Sequence, residues 1–159
     1  MASESSTRRG IQTEVNAGSW RAGLAGGLVG GVAFGIMMTV QLPMILENAI
    51  PGMYGLGPGA LATGWAIHLL HSAVLGLVFG AILAVGGIGD RLDTPVAIAV
   101  AGLAYGVVLW FVLASFVMPA WVGAMTEIAP SVPDWNLDSL LGHAVYGVLL
   151  GIVYAVLSR

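Results

Sequence analysis

Residues 64–83 read GWAIHLLHSAVLGLVFGAIL and carry no acidic side chain, lysine or arginine. At 1.5 Å rise per residue, a helix of this length covers the roughly 30 Å hydrocarbon core of a bilayer. There only a helix or a closed barrel satisfies every backbone N–H and C=O. Working outward, three further windows are as apolar, placing spans at about 22–46, 61–85, 95–118 and 137–157. Each is bounded by helix-breaking residues: Pro43 late in the first, GGIGD at 86–90 after the second, Pro95 opening the third and Pro119 closing it. The fold class expected is therefore all-α, an integral membrane four-helix bundle over residues 21–159. Residues 1–20, rich in Ser, Thr and charge, read as a disordered cytoplasmic tail.

Composition agrees. Of 159 residues, 58% are hydrophobic and only 8% charged, with a mean hydropathy of +0.94, whereas about a quarter of a soluble domain is charged. All five basic residues are arginines: Arg8, Arg9 and Arg21 precede span one, Arg91 lies between spans two and three, and Arg159 follows span four. The two remaining loops hold Glu47, Glu127, Asp134 and Asp138 and no basic residue. Because arginine stays on the cytoplasmic face, both termini are expected inside and the acidic loops outside, in the plasma membrane. Trp20, Trp65, Trp121 and Trp135 fall near predicted span ends, where an amphipathic ring prefers the headgroup region. A short interfacial helix is expected around 121–128.

Small residues recur with helical spacing. Gly23, Gly27, Gly31 and Gly35 are four apart, as are Gly102 with Gly106, Gly76 with Gly80, and Gly147 with Gly151. In lipid, where burying apolar side chains gains little, such stripes let backbones approach and supply the packing. A shift of 71 positions superposes the halves, matching Val29, Gly31, Ala33 and Gly35 with Val100, Gly102, Ala104 and Gly106, and Leu69, Gly76 and Gly80 with Leu140, Gly147 and Gly151. Two tandem two-helix repeats, related by a pseudo-twofold along the membrane normal, are expected.

The ionisable groups inside spans are His68, His71 and His143. Such groups are costly in hydrocarbon and mark candidate sites. His68 and Ser72 in span two correspond to Ser139 and His143 in span four, so His68 and His143 sit one turn apart in depth, in the outer half. Neutral imidazole suits a haem b or a metal, and two helices can supply both axial ligands. Glycine stripes in direct contact would leave no room for a haem between them, and the alternative is that each imidazole bonds a backbone carbonyl, Ser72 or water. Met37, Met38, Met44, Met53, Met118 and Met125 show no repeated Met-x-x-Met spacing, which favours gap filling over copper binding. With no cysteine, thiolate zinc and cysteine-ligated iron–sulfur sites are excluded. The net charge of −3 and the lack of a basic patch exclude nucleic acid as a partner.

The stretches GGLVGGVAFGIMM (26–38), GWAIHLLHSAVLGLVFGAIL and GHAVYGVLLGIVYAVL (142–157) together resemble a group of small four-span membrane proteins common in haloarchaeal genomes, and the lysine-free use of arginine suits a halophile. The resemblance covers most of the chain after residue 20 and implies a fold and a membrane address rather than a reaction. Proteins of that group often carry a histidine-kinase label. This chain has no ATP-binding glycine loop, no phosphoacceptor domain and no room for either, so a kinase, or any enzyme, is not expected. Three function classes stay open. The first is a non-enzymatic subunit or accessory protein that self-associates or docks on a larger, respiratory-type membrane complex. The second is a haem b or metal redox or sensor module on His68, His71 and His143. The third is a small transporter or channel.

The absence of cysteine allows a direct topology test. In intact cells a membrane-impermeant maleimide should label a Glu127→Cys variant, and should label Asp93→Cys only after the membrane is opened.

Overall fold

The computed structural model describes residues 2–57, 59, 61–84, 88–128 and 130–158, with backbone alone for 2–18 and 90. Four long helices dominate: α1 (Ala2–Gln41), α2 (Leu61–Ala84), α3 (Pro95–Met125) and α4 (Leu137–Leu157). Each contains a stretch long and apolar enough to cross a bilayer, in α1 from Ser19 to Gln41. The chain is thus an all-helical bundle suited to a membrane. The tail expected over 1–20 falls almost wholly on residues described by backbone alone.

Local chemistry sets the helix ends. Thr94 caps α3 by accepting the Ala97 N–H at 3.1 Å, with Pro95 at the first helical position. Asn136 caps α4 by accepting the Ser139 N–H at 2.9 Å. Pro43 has no N–H to continue the ladder of α1. The chain breaks at Leu42 and re-forms as a π-helical turn, Ile45–Ala49, which buries Leu46 and then Ile50 over the end of the bundle. Gly64 makes that cover possible, since a Cβ there would collide with the Leu46 carbonyl oxygen.

Span three differs from its expected end at Met118. It changes from α to π hydrogen bonding over Trp110–Val117 and continues as α-helix to Met125. The reason lies in Pro119, which cannot donate to the Ser115 carbonyl; that carbonyl accepts the Asp134 N–H at 2.9 Å instead. The short helix expected around 121–128 is therefore the end of α3. Of the four tryptophans placed at span ends, Trp20, Trp121 and Trp135 are exposed. Trp65 instead lies against Gly35 and donates to the Thr39 hydroxyl at 3.2 Å.

The helices pack in the order α2, α1, α4, α3, with α1 along both α2 and α4, and α3 along α4. Glycine makes the two outer crossings. A Cβ on Gly76 would strike the Gly23 carbonyl and stand 2.7 Å from the Gly27 Cα; one on Gly147 would strike the Gly102 carbonyl and stand 3.1 Å from the Gly106 Cα. Here Gly23 and Gly27, in AGLAGG (22–27), do what Gly102 and Gly106 do in AGLAYG (101–106), an offset of 79 rather than 71. The difference is a longer first connection: 49 residues separate Gly27 from Gly76, and 41 separate Gly106 from Gly147. Gly31 meets the Ser72 side chain, Gly35 the Trp65 ring, Gly80 the Ser19 carbonyl and Gly151 the backbone of Ile98 and Ala99.

The α1–α4 contact is also close, because Gly26 faces Leu150 and Gly30 faces Tyr146, each Cβ position lying within 3 Å of the opposing carbonyl. Between α2 and α3 there is no broad contact. The Tyr105 side chain bridges them, donating to the Leu75 carbonyl at 2.8 Å with its ring 5.3 Å from that of Phe79. Phe79 also meets Tyr154 at 5.5 Å, and together with Leu83 and Ala22 they close the half of the bundle nearer the 85–94 connection. The other half is not filled.

Valine at Gly76 forces two backbones apart, and a Gly76→Val variant should lose about 1–3 kcal/mol of stability. Gly57→Ala, in open space, should stay within about 0.5 kcal/mol of the parent; thermal melts in mild detergent compare the two.

Candidate functional site

In the unfilled half, between α2 and α3, lies a cavity of about 730 Å³. This is within the range of pockets that hold small molecules. Its inner wall is Phe34, Met38, His68, Ser72, His143 and Tyr146, its sides are Leu75 with Leu109 and Leu113, and its roof comes from Ile50, Met53 and Tyr54 of the connection after α1. Leu70 and Val74 on α2 and Val117 on α3 belong to its rim and are also exposed on the outside of the bundle. The cavity thus opens sideways, towards the surface that would face lipid.

All three histidines singled out from the sequence line this cavity. The buried His68 sets its Nε2 2.9 Å from the Gly31 carbonyl, an approach possible because α1 and α2 touch through glycine. His143 sets Nδ1 2.8 Å from the Ser139 carbonyl of its own helix. A carbonyl can only accept, so these nitrogens carry the protons. His71 lies nearer the end of the bundle, its Nε2 2.5 Å from the hydroxyl of Tyr54, whose ring packs 5.4 Å from Trp121. Ser72 donates to the His68 carbonyl at 2.8 Å, and Tyr146 donates to the Ser72 carbonyl at 2.9 Å, tying α4 to α2. No buried polar side-chain atom among the described residues lacks a partner.

Phe34, which periodicity alone did not mark, organises the site. Its ring meets His68 edge-on at 5.4 Å and His143 at 4.8 Å. It occupies the space that a side chain on Gly142 would need, the place of a Cβ falling inside the ring edge. The three imidazoles share a cavity but do not converge: among the described residues no group of three or more His, Asp or Glu could hold a metal ion. The glycine stripes put α2 against α1 and α4 against α3, so they do not bring His68 and His143 backbone to backbone. Both rings pack against Phe34. Met38, Met44, Met53 and Met118 line the cavity as well, giving a soft, adaptable wall.

Sequence reasoning found the histidines because ionisable groups are rare in spans, and it missed Phe34, Gly142, Tyr54 and Tyr146. Gly142 adjoins the stripe of His143 without sharing its spacing, and Tyr54 sits in a connection where no periodicity applies.

The fit of Phe34 into Gly142 is testable as a coupled pair. Gly142→Ala should cost about 1–3 kcal/mol in the parent and markedly less in a Phe34→Leu background, as a double-mutant cycle of detergent melts would show.

No family model, curated protein or solved structure matches this chain.

Proposed function

We propose that this chain is a non-enzymatic membrane protein that holds a neutral lipid-phase molecule in its histidine-lined cavity, and serves as a binding subunit on its own or within a larger membrane complex. The observation that carries this reading is the side-opening cavity of about 730 Å³ in a bundle otherwise closed by glycine contacts. The side entrance, rimmed by Leu70, Val74 and Val117, suits a ligand that arrives from lipid. A charged head would need a paired countercharge in the wall. The one charged residue that lines the cavity is Asp134, in the connection before α4. Arginine counting puts this half of the bundle in the outer leaflet of the plasma membrane and both termini inside.

A tandem duplication accounts for the cavity's position. With offsets of 79 for the first helix of each pair and 71 for the second, Gly26 against Leu150 corresponds to Tyr105 against Phe79. Glycine closes one side of the bundle, and tyrosine props the other open. The apolar outer faces of α3 and α4 leave room for self-association or for docking on a respiratory-type complex.

A second reading, a haem b or metal module, is favoured by imidazole nitrogens that keep free lone pairs on the cavity wall. The Phe34 ring, packed against both His68 and His143, takes up space that a bis-histidine haem would need. One preparation separates the readings. Native mass spectrometry of protein extracted in mild detergent should show about one small lipophilic adduct per chain, lost in a Leu113→Trp variant that fills the cavity, with visible absorbance absent. A Soret band that disappears in a His68→Gln, His143→Gln double variant would put the haem reading first. A chain with neither adduct nor chromophore would reject both.

A further inference from the structure

Resting on the reading of the cavity as a lipid-phase binding site, the arrangement of its hydrogen-bonding groups points further. We propose that the cavity recognises a hydroquinone, a ring with two hydroxyl donors and an apolar tail, in preference to the matching quinone.

The reasoning starts from tautomers. His68 spends Nε2–H on the Gly31 carbonyl and His143 spends Nδ1–H on the Ser139 carbonyl. A neutral imidazole has one donor and one acceptor, so the nitrogens left are bare acceptors: Nδ1 of His68 and Nε2 of His143. Neither has a partner among the described residues, and neither is sealed away, since no buried polar side-chain atom of those residues lacks a bond. Both residues line the cavity, so these two lone pairs belong to its wall. Moving either proton to the other nitrogen would set an imidazole lone pair against a carbonyl lone pair less than 3 Å away, which holds both tautomers in place.

Two of the wall's hydroxyl donors near these rings are already committed, and the third, Ser139, lies 3.4 Å from the protonated Nδ1 of His143 with no carbonyl among the described residues to donate to. Tyr146 donates to the Ser72 carbonyl, and Ser72 to the His68 carbonyl. The remaining polar groups lie towards the connections: Tyr54 paired with His71, Asn48 donating to Met44 and accepting from Gly59, and Asn136 with Asp134 before α4. The deep end of the cavity therefore offers two bare acceptors against a single hydroxyl donor, that of Ser139. A ligand head there must bring O–H groups. Two acceptors on imidazoles that both touch one phenyl ring, neither centroid more than 5.4 Å from that of Phe34, suit a head with two hydroxyls better than a simple alcohol. The aromatic edge of Phe34 and the methionines suit a flat ring, and the open rim lets an isoprenoid or alkyl tail remain in lipid. A quinone carbonyl at the same place would face a lone pair with no proton between them, and a site built to bond a hydroxyl rejects the analogue lacking it.

The full chain in phosphatidylcholine nanodiscs, titrated calorimetrically under anaerobic conditions with a decyl-tailed hydroquinone, its quinone and a long-chain alcohol, tests this. The hydroquinone should bind about tenfold more tightly than the quinone, and more tightly than the alcohol. His143→Gln offers both a donor and an acceptor and should bring the ratio to about threefold or less. If that variant does not fold, the three compounds on the unaltered protein still decide. Equal affinities for the two redox forms, tighter quinone, an alcohol as good as the hydroquinone, or a ratio unmoved in folded His143→Gln would each overturn the inference. A cavity occupied by phospholipid that no ring compound displaces would overturn it while leaving the binding reading intact. A cavity that takes no ligand would overturn both.

Discussion

Direct backbone contact through glycine is the constraint on which this bundle rests. In hydrocarbon an apolar side chain gains little by leaving lipid for protein, so helices associate through packing and through the few polar bonds that close approach permits. Gly23 and Gly27 against Gly76, and Gly102 and Gly106 against Gly147, bring helix axes together at two crossings where any Cβ would strike a carbonyl or a Cα. The consequences reach the site. Only at such a separation can the His68 imidazole on α2 reach a main-chain carbonyl of α1. That bond decides which of its nitrogens is left over.

The same economy explains where the bundle is open. α1 and α4 close on each other through Gly26 and Gly30. α2 and α3 are spaced by Tyr105, whose hydroxyl is satisfied by a carbonyl of the opposite helix. A large side chain in place of a small one turns a helix interface into a strut and leaves space above it. Ser72 and Tyr146 are bonded to carbonyls, so the inner wall of the cavity is mainly apolar side chains and thioethers with His68 and His143 set among them.

Two irregular helical turns shape the end of the bundle above the cavity. One follows Pro43 and the other precedes Pro119, prolines that a membrane helix accommodates by finding other partners for the freed carbonyls. After Pro43 the chain folds over as a π-turn that buries Leu46, and beside Pro119 the Ser115 carbonyl accepts from Asp134. The connections bearing Tyr54 and Asn136 are thereby brought to the cavity, although each is remote from the histidines in sequence.

The amino-acid sequence by itself determined the four apolar spans, the start of the third at Pro95 and the glycine stripes, because hydrocarbon thickness and the need to satisfy the backbone leave a chain of this composition few alternatives. It also picked out His68, His71 and His143, since ionisable groups in spans are rare. The glycines that make the α1–α2 and α3–α4 crossings, Gly23 and Gly27 and then Gly102 and Gly106, lie 79 positions apart, a spacing that only the contacts pick out among the many glycines of these helices. Only the tertiary structure decided that the three histidines share one cavity without forming a metal-binding group, that Phe34 packs against two of them, and that a tyrosine holds the fourth side open. Those outcomes depend on how far apart two backbones lie and which carbonyl an imidazole reaches, and helix periodicity contains neither distance.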